Sequence, residues 1–478
     1  MQKKLIALLI SGAVVGLNGC SSSSDSETPS AKAQLLANLT VPSTYNFESR
    51  FNAGEESASY SGQVARQVLI NDLNSVIASN LSAAKLLSGA STQQDFLAEL
   101  NAYYEQGTAA IGDNQLRLTT TPATKQSTYN EISEGKNLVD KIAGNDSLTD
   151  HKDWDDGDFK GWDAVSPHAL IQEWFTEIAA NAAAGIIRVD PVTASEPLMD
   201  YHTQDGLDLK QLVQKFLLVA ITFSQGTDDY LDDANPNKGL LTDNSQPAGT
   251  GAAYTQLEHQ YDEGFGYFGA ARDYLSYTDN EIASSSSYKD TDEDGEIDLN
   301  AEINFALSIN AAKRDKGSST GTDFTKEAME AFLTGRAIIA RASDDGDGEL
   351  TELEMEVLKE QRDIAVAAWE KAISATAVHY INDTVADMDK AIADDGTYSY
   401  LDHTKHWAEM KGFALGLQFN PRSPMHANTR LADFNTLVGE RPALPGDAGF
   451  AEYRQALLDA RAILQEAYDF AQADVENW

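Results

Sequence analysis

Two stretches of the sequence combine a histidine with a carboxylate at helical spacing. His259 precedes Glu263 by four residues, and His406 precedes Glu409 by three. Side chains three or four residues apart lie on one face of a helix, so each pair presents an imidazole beside a carboxylate. Such donors suit first-row metals, iron or zinc among them. The alternative is that each histidine is hydrogen-bonded by its own helix and only orders the core.

A Gly-Phe pair follows each histidine segment, at Gly264-Phe265 and at Gly412-Phe413. Glycine lets two backbones approach closely because it has no Cβ. We therefore expect the two helices to face each other and to bring His259, Glu263, His406 and Glu409 to one metal ion.

A different chemistry is indicated by an acidic loop that resembles the front of an EF-hand. Its aspartates stand at loop positions 1, 3 and 5, a glycine stands at position 6, and an isoleucine stands at position 8. This pattern directs carboxylate oxygens inward at a sharp turn, as calcium requires. The expected ligands are Asp290, Asp292, Asp294, Glu296, Asp298 and Glu302. The alternative is a solvated acidic turn.

A second acidic loop repeats the pattern about fifty residues later. Gly348 stands at position 6, an apolar leucine at position 8 and a glutamate at position 12. A serine at position 1 gives this loop one carboxylate fewer. The expected calcium ligands are Ser343, Asp345, Asp347, Glu349 and Glu354.

The elements that must position these residues are helical almost throughout. Leu69, Leu73 and Val76 follow one another at spacings of four and three, as on one face of a helix. Residues 352–387 contain no glycine or proline, which predicts one or two long helices. The two-residue alternation typical of strands is missing. We expect an all-α, multi-helix double bundle of a dozen or so helices, with residues 34–478 as one body.

Composition restricts the partners of this body. The chain has 35 Lys and Arg against 75 Asp and Glu, a net charge of −40. So acidic a surface repels nucleic acid and anionic lipid headgroups, and it favours metal ions. The same charge also fits adaptation to salty water. Cys20 is the one cysteine, so disulfides and thiolate metal sites are excluded.

The N-terminal residues have the pattern of a targeting sequence. A basic start and an apolar run too short to span a bilayer end in Leu17-Asn18-Gly19-Cys20. This segment resembles the lipobox of bacterial lipoproteins, which implies a signal peptide over residues 1–19 and acylation, palmitate included, at Cys20. A Ser-rich tether over residues 20–33 follows. Serine next to the lipid resembles the signal for transfer to the outer membrane, with the membrane contacted through the lipid anchor.

The paired histidine helices, together with the lipoprotein start, resemble the imelysin-like group of bacterial periplasmic and surface proteins. That group consists of all-α double bundles with an internal repeat and a helical His-x-x-Glu motif, which His406 and Glu409 match here. The resemblance implies metal binding and a part in iron acquisition with partner proteins of a metal-uptake system.

Two other functions remain open on the sequence. A metallopeptidase would use His406 and Glu409 for hydrolysis. A calcium-stabilised scaffold would instead dock a partner protein or a glycan. We expect a binding protein more than an enzyme.

The lipid anchor can be tested directly. Replacing Cys20 with Ala removes the acylated side chain, so the protein should remain unprocessed and leave the membrane fraction. Cell fractionation followed by immunoblotting measures this, with Ser22→Ala as the control that stays membrane-bound. A Cys20→Ala protein that sediments with outer membranes as wild type does would disprove the anchor.

Overall fold

The computed structural model describes residues 30–79, 81, 92–145, 154, 157–344 and 348–478. The chain divides into two compact units, Met1–Asn38 and Leu39–Trp478. In the first unit the described element is helix α1, Ala31–Asn38, which begins inside the range assigned to the tether. The expected signal peptide and Cys20 lie outside the described residues. Within the described part, no helix is long and apolar enough to cross a membrane.

The second unit is all-α, as predicted. Its helices are α2 Ser61–Ala78, α3 Gln93–Asn101, α4 Thr108–Ile111, α5 Tyr129–Ile132, α6 Pro167–Ala184, α7 Leu209–Leu217, α8 Gln256–Phe268, α9 Asp279–Ile282, α10 Ala306–Gly317, α11 Phe324–Asp344, α12 Glu352–Ala393, α13 Tyr400–Ala414, α14 Arg430–Val438, α15 Phe450–Tyr468 and α16 Gln472–Asn477. The described strands form one two-residue antiparallel pair, β1 Arg188–Val189 with β2 Pro197–Leu198.

Helix α12 is the longest helix of this unit and contacts several of the others. It runs for 42 residues without a break, which confirms the long helix predicted from the absence of glycine and proline. Thr351 caps its start, since its side chain accepts a hydrogen bond from the Glu354 backbone N–H. The helix packs against α10, α11, α13 and α15. Trp369, near its middle, is fully buried.

The apolar stripe that the sequence predicts on α2 does face the core. Leu69, Leu73 and Val76 on α2 are fully buried. On α15, Leu457 and Leu464 are fully buried as well. Periodic burial of this kind supplies most of the stability of a helix in a globular protein.

Two helices end or change their winding at identifiable residues. Helix α8 ends at Phe268, because Gly269 adopts a left-handed φ of +82°. The apolar run at 216–223 is buried, and α7 gives way there to two π-helical segments, Leu218–Phe223 and Gln225–Tyr230. The wider winding brings Gly226 against Trp369, where a Cβ would lie 2.7 Å from the indole ring.

A buried arginine joins three parts of the unit. Arg336 on α11 is fully buried and donates from Nε to Asp262 Oδ1 at 2.8 Å and from Nη1 to Glu258 Oε1 at 3.0 Å. Its third nitrogen donates to Ser57 Oγ at 2.8 Å. Tyr45 donates its hydroxyl hydrogen to Asp262 Oδ1 at 2.9 Å. The network ties α8 and α11 to the segment that precedes α2.

Loss of Arg336 should destabilise the protein severely. Arg336→Met keeps the length of the side chain but leaves two buried carboxylates without their cation, at a cost of about 3–5 kcal/mol. Arg454→Met is the matched control, because Arg454 pairs with Asp389 at the surface and should cost less than about 1 kcal/mol. Urea titrations followed by circular dichroism compare the two. Equal losses would contradict the proposed importance of the network.

Candidate functional site

The first acidic loop brings its three leading aspartates together. Ligand oxygens of Asp290, Asp292 and Asp294 all lie within 4.8 Å of one another. Across the described residues, no other three His, Cys, Asp or Glu side chains meet so closely. Gly295 has a φ of +88°, so the turn at position 6 needs the residue that the sequence provides. The three leading aspartates therefore lie close together, as their spacing predicts.

Hydrogen bonds hold the loop in shape but leave one acceptor free. Asp290 Oδ2 accepts from the Gly295 backbone N–H at 3.0 Å, and Asp292 Oδ1 accepts from the Asp294 N–H at 3.1 Å. Asp290 Oδ1 is buried and has no hydrogen-bond partner among the described residues. A buried carboxylate oxygen without a donor is costly unless a cation neutralises it.

Position 8 anchors the loop to a distant segment. Ile297 is fully buried, and its backbone pairs with the segment around Thr124. Its N–H donates to Ala123 O at 2.9 Å, and its carbonyl accepts from the Lys125 N–H at 2.9 Å. The side chain of Lys125 lies 3.7 Å from Asp294 Oδ2. The loop is thus hydrogen-bonded to residues 123–125, and the side chain of Lys125 lies beside its aspartates.

The later acidic residues of this loop do not gather around the three aspartates. Glu302 was expected to close the calcium shell, but its Oε1 accepts from the Thr291 N–H at 2.7 Å and its Oε2 from the Asp298 N–H at 2.8 Å. Asp298 Oδ1 accepts from Gln126 Nε2 at 2.8 Å. Glu296 is exposed. Glu302 is therefore not among the carboxylates that meet here, and its part in a calcium shell stays a prediction.

The second acidic loop lies partly outside the described residues, which lack Asp345, Asp347 and the side chain of Ser343. Glu349 is exposed. Glu354, the expected position-12 ligand, accepts from the Thr351 N–H at 2.9 Å and caps helix α12. In the structure Glu354 is thus a capping residue, and its part in a calcium site stays a prediction.

The first histidine pair is formed as helical geometry requires. His259 Nε2 lies 3.8 Å from Glu263 Oε1 on α8, and His259 Nδ1 is 3.0 Å from the Ser59 carbonyl oxygen. Glu263 Oε1 accepts from Gln63 Nε2 at 2.9 Å. The imidazole also stacks on Tyr254. Both side chains have partners that fasten α8 to the region around α2.

The second pair separates. His406 Nδ1 is 2.7 Å from Asp387 Oδ2, and His406 Nε2 is 3.9 Å from Asp383 Oδ2. Burial lowers the pKa of His406, but the hydrogen bond and charge of Asp387 outweigh it and leave the pKa above its usual value. His379 Nε2 is 3.4 Å from the same Asp383 oxygen. The imidazole of His406 thus belongs to a cluster with α12.

Glu409 contacts other residues, one on α12 and one on α7. Its Oε1 accepts from the Tyr380 hydroxyl at 3.1 Å and lies 3.4 Å from Lys215 Nζ. Its Oε2 is buried and has no hydrogen-bond partner among the described residues. A metallopeptidase that places His406 and Glu409 on one metal ion is therefore not supported.

The four residues expected to share a metal ion do not converge, and the glycines show why. A Cβ on Gly412 would lie 2.6 Å from Lys215, and one on Gly416 would lie 2.3 Å from Val219. A Cβ on Gly264 would lie 2.7 Å from Leu231, and one on Gly266 would lie 2.7 Å from Tyr60. The glycines do allow close packing, but the two helices use them against different partners.

Sequence reasoning missed the residues that complete these contacts. His379 and Asp383 have the i, i+4 spacing of a surface pair on α12, and that spacing was available in the sequence. Asp387 is buried beneath His406. Lys215 carried no signal of its own, because its role depends on which helix packs beside α13.

A cavity of about 370 Å³ lies where α2, α7, α10, α12 and α13 meet. Its charged side chains are Lys215, Lys313 and Glu409, and its wall also includes Tyr380 and Ser287. Such a volume is within the range of small-molecule sites. Glu409, which was expected to bind a metal ion, therefore lines this cavity together with two lysines and a tyrosine.

A family model described as a domain of unknown function (DUF4856) matches residues 42–429, which is most of the chain and includes the acidic loops, both histidine helices and the cavity. No curated protein and no solved structure matched the chain.

Proposed function

The chain belongs to the DUF4856 family, and we propose that it is a calcium-binding lipoprotein of the outer membrane whose helical body binds a further ligand. The observation that carries the calcium assignment is the meeting of Asp290, Asp292 and Asp294. The lipid anchor at Cys20 is supported by the lipobox-like sequence before it.

The chemistry of the acidic loop favours calcium over a solvated turn. Three carboxylates within 4.8 Å of one another repel each other unless a cation lies between them. Lys125 lies 3.7 Å from Asp294 at the rim, and the buried Asp290 Oδ1 has no partner among the described residues. Oxygen donors in a flexible loop are the ligands that calcium prefers.

The composition of the shell indicates weak affinity. Three carboxylates, the backbone carbonyl of Glu296 at position 7 and water would supply oxygen ligands, and Glu302, which would add the bidentate carboxylate of a strong EF-hand, does not lie among the three carboxylates that meet. Dissociation constants near 10⁻⁴–10⁻³ M are typical of extracellular calcium modules. Such a site is filled at the millimolar calcium levels found outside cells and suits structural stabilisation.

The position of the loop explains what calcium would stabilise. Ile297 links the loop to Ala123 and Lys125, and the Ala301 carbonyl accepts from the Arg272 N–H at 2.8 Å. A cation that rigidifies residues 290–295 would therefore brace two distant segments of the body. This arrangement supports a structural role for calcium more than a sensing role.

Iron or zinc binding is a second candidate, favoured by the cluster on α12 and α13. His379 Nε2 and His406 Nε2 lie 3.4 and 3.9 Å from the same oxygen of Asp383. Asp387 fixes the other nitrogen of His406, as carboxylates do behind metal-ligating histidines. These residues, rather than His259 and Glu263, would support the part in iron handling that the imelysin-like resemblance implies.

Calcium should stabilise the purified protein. At about 5 mM calcium, a dissociation constant of 10⁻³–10⁻⁴ M gives about 1–2.3 kcal/mol of stabilisation. Asp292→Asn with Asp294→Asn should abolish most of this gain, since two ligand charges are lost. Differential scanning calorimetry in EGTA and in calcium measures the effect.

The matched control removes the same charge from another acidic turn. Asp394 and Asp395 follow α12 directly and precede Gly396. Replacing both with Asn should leave the calcium response unchanged. A melting temperature that does not depend on calcium in the wild type would rule out the site. Elemental analysis of the protein purified without chelator separates the two candidates, because bound iron or zinc would favour the histidine cluster.

A further inference from the structure

The cavity between α7, α10 and α13 differs in charge from the rest of the protein. Its charged lining consists of Lys215, Lys313 and Glu409, two cations and one anion, whereas the whole chain carries a net charge of −40. Positive charge in a concave site raises the local concentration of anions. The cavity is therefore a place where an otherwise acidic protein attracts a small anion.

The two lysines have different roles. Lys215 donates from Nζ to Gln214 Oε1 at 2.7 Å and lies 3.4 Å from Glu409 Oε1, so its charge is largely compensated. Lys313 is exposed and makes no hydrogen bond or ion pair among the described residues. Lys313 is thus free to pair with a carboxylate that enters the cavity.

Glu409 has unused acceptor capacity. It is 5% exposed, and Tyr380 and Lys215 both lie at its Oε1, while the buried Oε2 has no donor. Ser287 Oγ, also in the cavity wall, is buried without a partner. A hydroxyl or an ammonium group that enters the cavity would supply the donor that Glu409 Oε2 lacks.

These features together select a ligand class. We infer that the cavity binds a small hydroxylated or aminated organic acid, whose carboxylate pairs with Lys313 and whose hydroxyl or amino hydrogens are accepted by Glu409. A volume of about 370 Å³ accommodates a molecule of the size of a sugar acid. This inference does not depend on calcium binding, because the acidic loop contributes no residue to the cavity wall.

Three six-membered-ring compounds test separately how the cavity recognises a carboxylate and how it recognises hydroxyl groups. Isothermal titration calorimetry on the calcium-saturated protein should detect D-glucuronate with a Kd below about 1 mM. D-Glucose lacks the carboxylate and cyclohexanecarboxylate lacks the hydroxyls, so each should bind at least about tenfold more weakly. Failure of glucuronate to bind, or equal binding of either single-feature probe, would overturn the assignment.

Variants then assign the residues. Lys313→Met should weaken glucuronate binding at least about tenfold, whereas Lys316→Met on the same helix, outside the cavity wall, should not. Glu409→Gln preserves shape but replaces one acceptor oxygen by a donor, so it should reduce the preference for glucuronate over cyclohexanecarboxylate. Equal losses for Lys313→Met and Lys316→Met would indicate a general charge effect and contradict the site. An unchanged preference in Glu409→Gln would remove Glu409 from recognition.

Discussion

Arg336 is completely buried, and a buried guanidinium is tolerated only where acceptors surround it. Asp262, Glu258 and Ser57 provide those acceptors from α8 and from the segment before α2. This network extends to the acidic loop. The Tyr45 hydroxyl donates to Asp262, and the Tyr45 backbone N–H donates to the Arg272 carbonyl at 2.8 Å. The Arg272 backbone N–H in turn donates to the carbonyl of Ala301, at the end of the acidic loop. The placement of that loop therefore depends on where one buried charge finds its partners.

Local features of the fold follow from the sequence because they depend on neighbours within one helix. The length of α12, the cap at Thr351 and the buried stripe on α2 each need only spacing and residue type. The front of the acidic loop is predictable for the same reason, since Asp290, Asp292 and Asp294 are close along the chain. Short-range rules are enough for all of these.

The expected meeting of both histidine pairs at one metal ion depends on how helices pack against one another, and there the sequence prediction differs from the structure. Helical spacing places His406 and Glu409 on neighbouring parts of α13, but it does not state which helix packs on each side. In the structure α12 supplies Asp387 to His406, whereas Glu409 lies between Tyr380 of α12 and Lys215 of α7. A difference of three residues, or about 60° around the helix, is enough for two side chains to contact different residues. Pairing between helices is set by the whole core and cannot be read from one segment.

The stability of the loop region is expected to depend on calcium at the first acidic loop, and a crystal structure grown in calcium tests this binding most directly. We expect one anomalous peak with oxygens of Asp290, Asp292 and Asp294 at about 2.3–2.6 Å, the distance range of calcium–oxygen bonds. The Glu296 carbonyl oxygen should lie in the same shell, with Lys125 displaced from Asp294. Absence of a peak at millimolar calcium, with Lys125 still beside Asp294, would contradict the account.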